Sequence, residues 1–229
     1  MEHTIAHRIA LAVRRDGGAI SIRSLAMPFG RYDVLGDDGE PAGTEEFRCA
    51  PGPMGWRYFS QVRTTDPSPH EETFDVAVDA DWRIARLRID TGEHDILLEP
   101  GAGGAALTGY RDRKPVEIPY GPDLHLDYFT PATNAISVRR LAGDAEIDVL
   151  FLEAVTLEPR RVRQRYELIG HEDVATPVGT FAASHWRFTA LDSGWTADLW
   201  VATDIVVKYE RLFDLAWLDP GASGPRPTA

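Results

Sequence analysis

The chain has little cysteine and no long apolar run. Cys49 is its only cysteine in 229 residues, so no intrachain disulfide can form and a reducing compartment is the simplest expectation. The first nineteen residues carry two histidines and three arginines without an uninterrupted apolar core. They predict neither a secretory signal nor a membrane-spanning helix. We therefore expect a cytoplasmic protein without stable membrane insertion.

Positive charge is also scarce. Lysine and arginine number 24 against 36 aspartates and glutamates, which gives a formal net charge of -12. Nucleic acids and anionic membrane surfaces both require a basic footprint on their partner. The charge balance therefore argues against either as a partner.

Several catalytic and cofactor-binding motifs are missing. The chain has no Gly-x-Ser-x-Gly elbow, no His-Glu-x-x-His and no zinc-finger spacing. Its glycine-rich stretch, 100–104, has no predicted helix behind it, as a phosphate-binding loop would need. His125 and Asp127 have the spacing of a ligand pair, but a third ligand is not visible nearby. We expect no metal and no cofactor.

Short segments in which apolar and polar residues alternate make up most of the sequence. Turn signals recur roughly every 8–12 residues, which is typical of all-β proteins. This predicts a single large antiparallel sheet curled into a barrel or half-barrel, with little helix, over residues 1–220, followed by a disordered tail over 221–229. An opening hairpin is predicted over 5–23, around Gly17-Gly18. A phase slip near Ala85 predicts a β-bulge.

The stretch from His125 to Leu141 is the most informative part of the chain. It alternates up to Phe129 and is then interrupted by Thr130-Pro131-Ala132-Thr133-Asn134. Ile136 and Val138 favour a second strand. Arg139 and Arg140 would then point to opposite faces, and the inward arginine would pair with Asp127.

This stretch also carries a family resemblance. Phe129-Thr-Pro-Ala-Thr-Asn134, followed by Arg139-Arg-Leu141, resembles the bacterial family described as putative glycolipid-binding. The resemblance continues more loosely through 164–167 and 200–212. It implies a half-barrel related to lipoprotein carriers of the LolA/LolB type. It also implies binding of an amphiphilic small molecule such as a glycolipid.

A ligand with an apolar body and a polar head needs aromatic walls and a few polar groups. The candidate ligand-binding residues are Tyr128, Asn134, Arg139, Gln164, Glu167, Trp186, Trp200 and Tyr209. An alternative interpretation is that the aromatic side chains fill the core and the arginines bond carboxylates such as Asp127 and Glu167.

Two other functions stay open. A cofactor-free lyase, isomerase or hydrolase could use the same cavity, with Asp127 or His125 moving a proton and Arg139 or Arg140 stabilising negative charge. Tyr128 completes this set of catalytic candidates. The third possibility is an interaction module, since the edge strands of an open sheet favour a homodimer.

Overall fold

A computed structural model describes residues 27–36, 38–52, 55–65 and 69–228. The predicted opening hairpin, 5–23, lies outside these residues. The described part contains fifteen strands and one helix. The strands of the first half are β1 (Phe29–Leu35), β2 (Pro41–Gly52), β3 (Gly55–Thr64), β4 (His70–Asp79), β5 (Ile84–Asp90), β6 (Asp95–Pro100), β7 (Ala106–Arg111) and β8 (Lys114–Pro119).

The second half begins with a short strand and the helix. Its elements are β9 (His125–Asp127), α1 (Pro131–Arg140), β10 (Ala145–Leu152), β11 (Pro159–Thr176), β12 (Gly179–Ala190), β13 (Thr196–Ala202), β14 (Ile205–Tyr209) and β15 (Phe213–Asp219). The prediction of an all-β protein with little helix is confirmed.

All fifteen strands form one sheet, in the order β8 to β1 and then β15 to β9. Strands β1–β8 and β10–β15 are therefore two antiparallel meanders, joined where β1 pairs with β15. Only β9 lies parallel to its neighbour, β10. The sheet is open, with β8 and β9 at its two edges.

Alternating side chains build the core. On β3, Trp56, Tyr58, Ser60 and Val62 are buried while the residues between them are more exposed, because successive side chains of a strand point to opposite faces. The predicted bulge is confirmed, since Val78 pairs with Ile84 while Ala77 pairs with Arg86, which leaves Ala85 unpaired.

The structure corrects the prediction for residues 131–140, which form α1 and not a strand. Thr130 is the N-cap and Pro131 occupies the first turn, where a missing N–H costs nothing. Residues 131–138 are all buried, and the helix packs against β9 and β14. Burial on every side outweighs the strand preference of Ile136 and Val138.

The two ends of the sheet meet through side chains. The Arg161 guanidinium donates to the Pro119 carbonyl over 2.7 Å, and the Arg111 guanidinium donates to the Thr156 carbonyl over 2.8 Å. Thr91 donates its hydroxyl proton to the Val155 carbonyl over 3.0 Å. The loop between β10 and β11 is thereby fixed to the first meander without strand pairing.

The last described residues also make hydrogen bonds. In the segment predicted to be a disordered tail, the Thr228 backbone N–H donates to the Thr180 carbonyl, and Arg226 donates to the Gly221 carbonyl. Cys49 is buried and free, and burial raises the pKa of its thiol. Among the described residues, no helix has the length and apolar character needed to cross a membrane.

Candidate functional site

The site is organised by the turn between β9 and α1. The Thr130 hydroxyl accepts a hydrogen bond from the Ala132 N–H, which caps the helix. The Thr133 hydroxyl donates to the Asp127 carboxylate over 2.9 Å. The Asn134 amide donates to the Tyr166 hydroxyl over 2.9 Å. The Thr-Pro-Ala-Thr-Asn motif is therefore a helix N-terminus whose polar side chains fix the residues around it.

Two buried carboxylates from the first meander hold this turn. Glu45 accepts hydrogen bonds from the hydroxyls of Thr130, over 2.7 Å, and Tyr58, over 2.8 Å. Glu72 accepts from the Tyr128 hydroxyl over 2.7 Å. Burial raises the pKa of Glu45 to about 7 and also raises the pKa of Glu72. The turn is thus connected to β2 and β4 across the interior.

Beside the turn lies a cavity of about 520 Å³. Its walls are mostly apolar, and it is partly open to solvent. The wall residues are Phe129, Phe151, Ala154, Val162, Phe188, Ala190, Trp195, Leu212 and Phe213. This volume is within the usual range of small-molecule sites, and large aromatic walls with few polar groups are their usual composition.

The base of the cavity is polar. Asp127 lies there, and its carboxylate accepts from the Gln164 amide over 2.5 Å. Asn134 and Tyr209 line the same region. Burial raises the pKa of Asp127 to about 6, against the opposing effect of its hydrogen bonds to Gln164 and Thr133. The group is therefore a carboxyl that changes charge close to neutral pH.

The mouth of the cavity is charged. Arg160 lies between two acids, 3.3 Å from the Glu153 carboxylate and 3.7 Å from the Asp192 carboxylate. Its guanidinium also covers the Phe151 ring, 4.6 Å from the ring centroid. All three charged residues are exposed. A ligand entering from solvent would pass this group.

The structure brings four of the predicted ligand-binding residues to the cavity. They are Tyr128, Asn134, Gln164 and Tyr209. The other four, Arg139, Glu167, Trp186 and Trp200, do not line it.

Local contacts account for three of these four residues. The Trp186 indole N–H donates to the Ser184 hydroxyl over 2.9 Å. The Trp200 ring is stacked on His185, and its N–H donates to Glu172 over 2.7 Å. Arg139 is exposed and covers the Trp82 ring.

The predicted pairing of Asp127 with an arginine is wrong. Because 131–140 is helical, Arg139 and Arg140 follow α1 away from Asp127, and Arg140 instead donates to the carbonyls of Leu124 and Pro122. His125 is also buried outside the cavity, beside the Ser137 hydroxyl. Burial, with the nearby charge of Arg140, lowers the pKa of His125 to about 3, so this imidazole is neutral near pH 7.

Several cavity residues were not predicted from the sequence. Val162 could have been found, because it precedes Gln164 by two residues on β11 and so shares its face of the strand. Trp195 and Phe213 come from a turn and from the start of β15, and no local pattern signals that they meet. No group of three or more potential metal ligands is present among the residues that the structure describes.

The chain was compared with protein-family models and with curated proteins. A family model described as "Putative glycolipid-binding" matches residues 37–214. The chain belongs to this family. Proteins of curated function give no match. The family model covers β2–β14 entirely, and so includes the turn, the helix and all of the residues that line the cavity.

The comparison with solved structures gives two matches to describe. A protein of the DUF1089 family from Pseudomonas aeruginosa is 24% identical, with a TM-score of 0.54 over 74% of this chain and 91% of its own. A β-barrel-like protein of the DUF1849 family from Brucella abortus is 10% identical, with a TM-score of 0.49 over 89% of this chain and 99% of its own. The first similarity supports the architecture alone.

Proposed function

We propose that this protein binds an amphiphilic small molecule in the cavity beside the β9–α1 turn. The observation that carries the proposal is the division of that cavity into apolar walls and a polar base that includes Asp127 and Gln164. Apolar walls gain roughly 25 cal/mol for each Å² removed from water. The polar base supplies orientation, since buried polar groups favour partners that complete their hydrogen bonds.

Family membership supports the same class of ligand. The family description names glycolipids, which combine an apolar chain with a polar head. Tyr128, Asn134, Gln164 and Tyr209 are the ligand-binding residues of this proposal. Trp186, Trp200, Glu167 and Arg139 are not part of it, because they lie outside the cavity.

A cavity-filling substitution tests the proposal. Ala190 lines the cavity at the end of β12, whereas Ala182 is exposed on the same strand. We expect native mass spectrometry and calorimetry to detect binding of octyl glucoside to the unchanged protein and to Ala182→Trp. We expect Ala190→Trp to lose it. Equal binding by both variants, or none by the unchanged protein with any amphiphile, would refute this site.

A second candidate function is cofactor-free proton transfer. The favouring observation is Asp127, a half-buried carboxyl at the base of a cavity, with a pKa of about 6. A general base works best when its pKa is near the working pH. His125, Arg139 and Arg140 have no part in this candidate, because they lie outside the cavity.

Solvent exchange distinguishes a proton-transfer enzyme from a binding protein. A ligand that copurifies with the protein would be incubated with it in heavy water and analysed by mass spectrometry. Proton transfer predicts deuterium incorporation at carbon with the unchanged protein and none with Asp127→Asn. A ligand that remains free of deuterium supports simple binding.

The cytoplasmic location and the homodimer stay predictions. Gel filtration with light scattering tests the homodimer. A dimer formed by edge pairing would involve β8 or β9, the two edges of the sheet.

A further inference from the structure

The base of the cavity offers negative charge without a protein counter-ion. The Asp127 carboxylate accepts hydrogen bonds from two neutral side chains, Thr133 and Gln164. Within the ranges that the structure describes, no lysine, arginine or histidine forms an ion pair with it. A half-buried carboxylate without a cation loses hydration that neutral donors replace only in part.

A second acceptor beside Asp127 is unused. The Gln164 amide must turn its nitrogen toward the carboxylate, because a carboxylate only accepts hydrogen bonds. Its carbonyl oxygen, Oε1, is buried and has no hydrogen-bond partner, in a residue that is 3% exposed. Gln164 lines the cavity. Oε1 therefore adds partial negative charge beside Asp127, although its own surface is closed to the cavity.

The walls and the mouth favour the same charge as the base. Aromatic rings surround the space above Asp127, and the faces of such rings attract cations. The rings belong to Phe129, Phe151, Phe188, Trp195, Tyr209 and Phe213. At the mouth, the single Arg160 lies between the carboxylates of Glu153 and Asp192, which leaves a net negative charge there.

We infer that the ligand of this cavity is an organic cation, a primary ammonium group on an apolar body. Asp127 is its counter-ion and accepts its N–H bonds. The inference rests on the proposed function, since it names the head group of the same amphiphile. A sugar hydroxyl could donate a hydrogen bond to Asp127 but would leave it without a counter-charge. A carboxylate or phosphate head would be repelled by Asp127.

Binding should depend on the charge of Asp127. The groups that face this carboxyl are Thr133 of α1, Gln164 and Tyr166 of β11, and Tyr209 of β14. Burial raises the pKa of both tyrosines, so they stay neutral near pH 7. Asp127, with its pKa raised to about 6, is the group among these that titrates in the working range.

The sign of the dependence follows from competition between the proton and the ammonium for one carboxylate. Above about pH 6 the carboxylate is ionised and the ammonium binds at full strength. Below that pH the proton must be displaced, and the dissociation constant approaches a tenfold rise for each pH unit. The dissociation constant of a neutral glycoside should change far less.

The test compares ligands that share one chain. Calorimetry at pH 7.5 and pH 5 would use octylammonium, octyl glucoside and octanoate with the purified protein. At pH 7.5 we expect octylammonium to bind at least tenfold more tightly than octyl glucoside and octanoate to give no binding. At pH 5 the advantage of octylammonium should shrink to a few-fold or less.

Two variants with equal charge change complete the test. Asp127→Asn should remove the preference for octylammonium. Asp148→Asn should keep this preference, because Asp148 is an exposed residue of β10 that lies outside the cavity. Octyl glucoside binding as tightly as octylammonium would overturn the inference and leave the proposed function in place. If no octyl compound binds, both fail. If Asp127→Asn does not fold, the pH dependence of the unchanged protein decides.

Discussion

The buried carboxyl of Glu45 should make the stability of the protein depend on pH. Glu45 is 0% exposed, and burial raises its pKa from 4.5 to about 7. An acid whose pKa is raised by folding stabilises the native state at low pH, where it is protonated in both states. That contribution is lost as the pH rises toward 7, because the unfolded chain ionises first.

The size of the effect follows from the two pKa values. One pKa unit corresponds to about 1.4 kcal/mol, so the rise at Glu45 corresponds to about 3 kcal/mol between pH 4 and pH 8. The substitution Glu45→Gln keeps an oxygen for the hydroxyls of Thr130 and Tyr58 and removes the charge. We expect the variant to gain about 3 kcal/mol relative to the unchanged protein between these pH values.

Urea denaturation followed by tryptophan fluorescence, repeated from pH 4 to pH 8, measures this difference. Taking the difference between variant and unchanged protein cancels the titration of every other group. Glu46→Gln is the matched control, because Glu46 is the next residue of β2 and is exposed. If the free energy of unfolding of Glu45→Gln changed with pH in parallel with that of the unchanged protein, folding would not raise the pKa of Glu45 and the reasoning would be refuted.

Two further substitutions test the turn and the sheet. Thr130→Ala removes the helix cap and a hydrogen bond to Glu45, and should lower the free energy of unfolding by about 2–4 kcal/mol. Thr130→Ser keeps both hydrogen bonds and should recover most of this free energy. Equal losses of stability in the two variants would contradict the role assigned to the Thr130 hydroxyl. At Gly109 an added Cβ would collide with the Leu97 backbone carbonyl, so Gly109→Ala should disrupt the pairing of β6 with β7 and lower the melting temperature. Gly170→Ala, with open space around its Cβ position, is the control and should change it little.

The sheet could be predicted from the sequence because its signals are local. Alternation and turn residues mark strands whose pairing partners are mostly the next strand along the chain. The bulge at Ala85 is visible for the same reason, as a slip in the alternation of β5.

The helix was not predicted, because its residues are buried on all sides and leave no amphipathic period. The signals that were available are Thr130-Pro131, a cap followed by proline in the first turn, and two arginines in the last turn. The β-branched residues Ile136 and Val138 favoured a strand instead. Burial of the segment in the folded protein favours the helix, and such burial depends on tertiary contacts that a local sequence pattern does not contain.

Half of the ligand-binding residues predicted from the sequence line the cavity. Asn134 and Gln164 stand out as polar residues within apolar or alternating segments. Trp200 could not be assigned to a face, because on β13 the six consecutive positions 197–202 are half-buried or buried. The same holds for Trp186 on β12, where positions 183–186 are all half-buried or buried, so alternation no longer separates inside from outside. The bond between Thr130 and Glu45 joins residues 85 positions apart, and no sequence pattern encodes such a pair.

The pairing of β1 with β15 has a consequence for synthesis of the chain. Each meander can assemble as its hairpins leave the ribosome, but the central seam, where Phe29 pairs with Asp219, has to wait for the last strand. Until then β1 is an unpaired edge of a half-built sheet, and such edges recruit other strands. Nascent chains should therefore be prone to aggregation at this stage. Chaperones that bind β1 during translation should raise the yield of folded protein.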